Sequence, residues 1–296
     1  MNIKINPKVK TAVKNGAVVA LESTVMTHGL PRPQNLELAK SLEEVVTAAG
    51  ATPATVGIIA GEIIVGLDPD EMKYLANAEA EKASIWNLAA IISKKQNAGT
   101  TVATTLHAAN AAGIKVFATG GIGGVHHEEY DESADLAALA KYPLITVCAG
   151  PKSILNVEAT LERLESLAVA TIGYKSDKLA GFHSSLTDLN LAARADSAKE
   201  IADIYQVQQS LGLNGLLISN PVKNGMAKEK LDKWLKQAHK EAQAANLKGK
   251  TVTPFLLAKL AEVSNNETVE VNLRLLEQNA QLGAEIAIEL AKLEKN

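Results

Sequence analysis

Cysteine is almost absent from the chain: Cys148 is the only one in 296 residues. That excludes an intramolecular disulfide and any zinc site built on several thiolates. Aromatic residues make up only 3% while apolar residues reach 47%, much of it alanine. Small interlocking side chains suit helices packed closely on a sheet. Charge of one sign is lacking too. Thirty Lys and Arg stand against 33 Asp and Glu, a formal net charge of -3, which gives no bulk attraction for nucleic acid. The lysines of KEKLDKWLKQAHK alternate with apolar residues at helical spacing and read as a solvated helix face. No apolar run approaches a membrane span, and MNIKINPKVK has no apolar core of a signal peptide. The expectation is a soluble cytoplasmic protein with no membrane partner.

What is present is alternation. Candidate strands are AVVALES (17–23), TVGIIA and EIIVGL (55–67), LAAIIS (88–93), KVFATG (115–120), LITVCAG (144–150), VATIGY (169–174) and GLLISNP (215–221). Several are apolar on both faces, as in strands covered on both sides. Helical patterns such as QNLELAKSLEEVVTAAG and SILNVEATLERLESLA lie between them. The expected fold is a three-layer α/β/α arrangement around a largely parallel sheet. TVGIIAGEIIVGL holds a short glycine turn, so its two strands should form one antiparallel pair. From Lys228 onward the pattern is nearly all helical. No Pro/Gly/Ser-rich linker and no repeat is visible, so residues 1–296 read as a single domain.

In open parallel sheets, ligands bind beyond the carboxyl ends of strands. Glu22 follows AVVAL, the glycines of FATGGIGGVHHEEYDESADL follow KVFAT, and Lys152 follows LITVCAGP. Apolar surroundings raise a carboxyl pKa and suit Glu22 to general acid or base work; the alternative is a strand-end Glu paired with a lysine or capping a turn. Lys152 stands where a helix start would depress its pKa and make it a nucleophilic amine; the alternative is a phosphate-binding or surface lysine. GGIGG is no dinucleotide fingerprint, since His126 occupies the place of the third glycine. Asp131 and Asp135 flank Ser133, and ESADLAAL reads as a helix start there. Their oxygens suit a hard cation such as Mg or Mn; the alternative is a capping box with solvated acids. His126 and His127 lack a partner at zinc-ligand spacing. In NAGTTVATTL, threonines at a helix start suit a phosphate or ordinary capping. Lys82 has no local distinction.

Taken together, VVALESTVMTHGLPRPQNLELA, VFATGGIGGVH, SADL, VCAGPKSIL, TPFLLAKLAE and VNLRLLEQNA closely resemble the pseudouridine-5'-phosphate glycosidase family, related to the indigoidine synthase A proteins. The resemblance spans nearly the whole chain. It implies reversible cleavage of the carbon–carbon bond between uracil and ribose 5-phosphate, with a divalent metal, usually manganese, in a homo-oligomer that is commonly a trimer. It implies that Glu22 is the proton donor and Lys152 the nucleophile that forms a Schiff base with C1'. Asp131 would hold the metal. Lys82, Ser133, Ala134, Asp135 and Asn272 would meet the substrate, as would Val102 through its backbone. Alternatives are a relative acting on another C-glycoside phosphate and a non-catalytic phosphosugar-binding protein. The chain departs from the family pattern in loops: HEEYD is about three residues shorter than usual, Glu132 replaces an apolar residue, AGTTV stands for GATTV, and Gln96 stands for a basic residue. AGFHSSLTDLNLAARADS replaces an arginine-bearing segment and keeps only Arg194 and Asp196 in a familiar setting. These changes bear on substrate identity more than on fold.

Overall fold

The computed structural model describes residues 3–127, 131–245, 247 and 252–294. The chain opens with β1 (Ile3–Ile5), α1 (Pro7–Asn15), β2 (Val18–Leu21), a π-helical turn (Val25–Gly29) and α2 (Gln34–Ala48). There follow β3 (Thr52–Ile59), β4 (Glu62–Val65), α3 (Pro69–Asn77), β5 (Glu81–Ala83), α4 (Leu88–Ser93), β6 (Ala98–Thr100) and α5 (Val102–Ala111). Next come β7 (Val116–Ala118), α6 (Ala134–Lys141), β8 (Ile145–Cys148), α7 (Val157–Ser166), β9 (Ala170–Tyr174), β10 (Lys178–Gly181) and β11 (Ser184–Asn190). The chain continues with β12 (Ala193–Ala195), α8 (Ala198–Ser210), β13 (Leu216–Ser219), α9 (Lys228–Ala244), α10 (Val252–Val263) and α11 (Glu267–Leu293).

Among the described residues, eleven strands form one sheet whose main path runs β1-β4-β3-β2-β7-β8-β13-β9-β12. From β3 through β2 and on to β12 the pairings are parallel. The expected hairpin is β3–β4, antiparallel. β6 also runs antiparallel to β3, and β10–β11 form a separate antiparallel ribbon.

Alternation along each strand sends side chains to opposite faces, and each face has its own core. Val19, Val116, Val147 and Ile218 pack with α2, α8 and α11 on one side. Ala20, Phe117, Cys148 and Leu217 pack with α5, α6 and α7 on the other. This is the three-layer architecture that two-faced apolar strands require. α11 approaches the sheet closely at Gly283, where a Cβ would already touch Ala118 and Val19. Fully buried Leu275 and Ile286 of α11 each contribute roughly 1.5–3 kcal/mol by leaving water.

Three segments differ from the sequence reading. LAAIIS is not a strand but α4. A short apolar run fits either element, and here Leu88 and Ile91, one helical turn apart, share the buried face. The helix after Lys152 begins only at Val157, because Asn156 caps it by accepting the Ala159 N–H at 3.1 Å. Ile154 and Leu155 are drawn instead into a small core with α9 and α10. The segment AGFHSSLTDLNLAARADS (180–197), read as an altered loop, instead contributes to β10, β11 and β12. Among the described residues no helix is long and apolar enough to cross a membrane.

Candidate active site

β2, β7 and β8 are parallel neighbours at the centre of the sheet, so their carboxyl ends open at one place. Glu22 follows β2, Thr119 follows β7, and the run Ala149–Asn156 follows β8. The Glu22 carboxyl accepts a short hydrogen bond from the Thr119 hydroxyl. Burial pushes its pKa up, against the opposing pull of Lys152 and Thr119. It also feels the charges of Asp135 and Lys82. Four ionisable side chains from distant stretches, Glu22, Lys82, Lys152 and Asp135, are therefore brought within electrostatic reach of one another. Lys82 stands on β5 at the exposed rim. Crowding of its amine, then the charge of Lys152, holds its pKa below the ordinary lysine value.

Asp135 is 6% exposed. One carboxylate oxygen accepts the Ala103 N–H at 3.0 Å and the other the Gly123 N–H at 2.9 Å. It thereby joins the first turn of α5 to the glycine run. Ser133 caps α6, its hydroxyl accepting the Asp135 N–H at 3.2 Å. A Cβ on Gly123 would collide with the Ser133 hydroxyl, so glycine is required by close approach. Val102 opens α5, but its side chain is buried in the sheet core; only its backbone is available to a ligand. Thr101 occupies the cap position with no side-chain capping bond, and its hydroxyl is buried without a partner. Ordinary capping does not account for it.

Lys152 lies in the loop before α7, so the helix-start argument for its reactivity does not hold. The loop is fastened across the pocket by Lys152 N–H to Ile122 O at 3.1 Å and Asn156 N–H to Val125 O at 2.9 Å. Asp131 sits at the outer end of the glycine loop, where its carbonyl accepts the His126 N–H at 2.9 Å. It is not among the charges that act on Glu22. Among the described residues no three His, Cys, Asp or Glu side chains are arranged to hold a metal, and Glu128–Tyr130 of the HEEYD link lie outside them. The Asp131 carboxylate has no protein partner among the described residues. A divalent ion bound there would take one carboxylate and keep most of its waters. His127 meets His239 of α9 edge-on, with ring centroids 4.8 Å apart. Arg194 is on the surface, ion-paired with Asp177 and Asp196.

Several residues escaped the sequence reading. Asn279 of α11 is fully buried; its amide donates to Thr119 O at 2.8 Å and accepts from Asn220 at 2.9 Å. It ties the C-terminal helix to the residue that holds Glu22. Asn272 lies seven residues earlier, about two turns along the same helix face, and is half-buried. His28 reaches the field of Lys82, and burial lowers its pKa. Cys148, at the end of β8, is buried and its thiol is pushed up to about 12, which rules it out as a thiolate nucleophile at neutral pH.

A family model described as indigoidine synthase A like protein matches residues 8–289. A pseudouridine-5'-phosphate glycosidase of Thermus thermophilus is 52% identical over 93% of this chain and 98% of its own. One of Petrotoga mobilis is 45% identical over 97% and 96%. Among solved structures, an indigoidine synthase A-like protein of Thermotoga maritima superposes with a TM-score of 0.90 at 33% identity, covering 98% of this chain and 96% of that one. A prealnumycin C-glycosynthase in complex with ribulose 5-phosphate gives 0.91 at 30% identity, covering 99% and 98%.

Proposed function

The chain belongs to the indigoidine synthase A-like family, and from that premise we propose that it cleaves pseudouridine 5'-phosphate reversibly to uracil and ribose 5-phosphate. The observation that carries the reading is the meeting of Glu22 and Lys152, which follow β2 and β8 on either side of β7. Curated relatives named for this activity, up to 52% identical, support it.

A C-glycosidic bond has no leaving heteroatom to protonate. The Lys152 amine bonds to C1' as the C1'–O4' bond opens and O4' takes a proton. The nitrogen lone pair then expels the uracil carbon and leaves an iminium on Lys152. The uracil carbon takes its proton from Glu22, whose raised pKa favours the protonated form that a donor needs. Water adds to the iminium, releases ribose 5-phosphate and returns the proton. Lys82 and the first turn of α5, with the Val102 backbone, hold the phosphosugar. Ser133, Ala134, Asp135 and Asn272 complete its binding surface. Asp131 would hold a divalent ion, in this reading manganese, which supplies positive charge to orient bound oxygens. The working unit is a single domain over 1–296, cytoplasmic and trimeric.

Uracil release from pseudouridine 5'-phosphate, with manganese and after chelation, tests the reading. Metal-dependent release supports it; none from folded, metal-loaded protein rejects it. The neighbour named as a C-glycosynthase favours a second reading, the same lysine chemistry on another C-glycoside phosphate. Turnover of such a compound without uracil release would select it.

A further inference from the structure

The β10–β11 hairpin stands apart from the main sheet, yet its tip turns inward. Phe182 and His183 are only 3% and 2% exposed. Turns usually lie on the surface, because buried ones must pair their backbone groups. This one does so: Phe182 N–H donates to Ala149 O at 2.9 Å, and His183 O accepts Met226 N–H at 2.8 Å. Phe182 adopts a left-handed backbone, φ 63°. Such a conformation costs on the order of 1–3 kcal/mol and persists only where the surroundings over-determine it. The surroundings are shaped for it. A Cβ on Gly121 would enter the Phe182 ring, and one on Gly150 would strike Ala180 O. Both glycines belong to the loops that carry Thr119 and Lys152.

The His183 ring meets Phe182 edge-on, centroids 4.7 Å apart, and its Nδ1 shares a hydrogen bond of 2.8 Å with Ser153 Oγ. Burial takes its pKa down to about 4, so the ring is neutral at neutral pH and the bond does not titrate there. Ser153 follows Lys152 directly. The Lys152 N–H is fixed to Ile122 O, and Ile154 and Leu155 are locked under α9 and α10. The Ser153 bond fastens the stretch between these two anchors.

We propose that His183 is a positioning residue for Lys152: it grips the Ser153 hydroxyl and fixes the peptide from which the Lys152 side chain departs. The inference rests on Lys152 as the amine that attacks the sugar. It assigns the strained hairpin tip to alignment of the nucleophile, where a displacement of about 1 Å costs on the order of a hundredfold in rate.

The test compares Ser153→Ala, His183→Leu, His183→Asn and the Ser153→Ala/His183→Leu double variant with the unaltered protein. The readouts are kcat, KM for pseudouridine 5'-phosphate, and the rate of borohydride trapping with ribose 5-phosphate. We expect kcat and trapping to fall together by about tenfold to a hundredfold in Ser153→Ala and His183→Leu, with KM changed less than about twofold. The double variant falls no further, and His183→Asn, whose amide reaches the Nδ1 position, recovers most of the loss. Additive losses, an unchanged Ser153→Ala, or equal losses in the Leu and Asn variants would overturn the proposal. Should His183→Leu fail to fold, Ser153→Ala removes the same bond from the other side and decides alone. If the unaltered protein traps no sugar, the nucleophile reading falls and this inference with it. A trapped unaltered protein with unaffected variants removes the inference alone.

Discussion

The end of β2 and the first turn of α6 each bring a carboxyl to the same site, and they treat it in opposite ways. Asp135 commits both oxygens to backbone amides, one from α5 and one from the glycine run. Glu22 has a single hydroxyl contact, from Thr119, and burial raises its pKa. The first arrangement uses both oxygens as acceptors and ties two segments together with them. The second favours a carboxyl that keeps its proton and gives it up on demand. In the proposed reading, similar groups serve as scaffold or reagent according to how many donors surround them.

The same change at both sites separates the two roles. Glu22→Gln should lower kcat by about 10²–10⁴-fold, the range for loss of a general acid. It should also raise stability at neutral pH. Folded Glu22 keeps its proton above the ordinary value of 4.5, where the unfolded chain has lost it. The native residue therefore subtracts stability as pH rises past 4.5, and glutamine removes that penalty. Melting temperatures at pH 7 and pH 4 check the sign: a gain at 7 that vanishes at 4. Asp135→Asn should instead cost about 1.5–3 kcal/mol of stability, because one amide N–H then faces an NH2 group; urea unfolding measures it. If both amide variants lost stability equally, the contrast would be wrong.

Smaller effects sharpen the picture. Asn279→Ala should cost about 1–3 kcal/mol by stranding Thr119 O and the Asn220 amide. It should also lower kcat through Thr119, which urea unfolding and steady-state assays read separately. His183 supplies a pH dependence. Its folded pKa of about 4 lies below the ordinary 6.5, so the unfolded chain binds the proton first as pH falls. Stability should drop between pH 6.5 and 4, with a slope of at most about 1.4 kcal/mol per pH unit from this residue. The slope should flatten in His183→Asn, as melts across that range would report.

Much of this pocket was legible in the sequence. Glu22, the glycine run and Lys152 each follow an apolar run, and parallel pairing gathers such ends on one edge. The glycine turn of TVGIIAGEIIVGL announced its hairpin, and Ser133 its helix cap. What was not legible depends on partners distant in sequence. Asn279 reads as a polar position of an amphipathic helix until Thr119 and Asn220 surround it. Phe182 and His183 read as part of an altered loop until the glycines at 121 and 150 make room for them. LAAIIS is too short for its period to separate strand from helix. Lys152 left the helix assigned to it because Ile154 and Leu155 were claimed by α9 and α10.

In the proposed mechanism Lys152 is the amine that bonds the sugar, and its charge helps hold the pKa of nearby Lys82 below the ordinary lysine value, after burial of the Lys82 amine. Borohydride reduction in the presence of ribose 5-phosphate, followed by peptide mapping, tests it directly. One sugar adduct is expected, on the peptide bearing Lys152, and none in Lys152→Ala. An adduct on Lys82, or steady uracil release with no adduct in the unaltered protein, would contradict it.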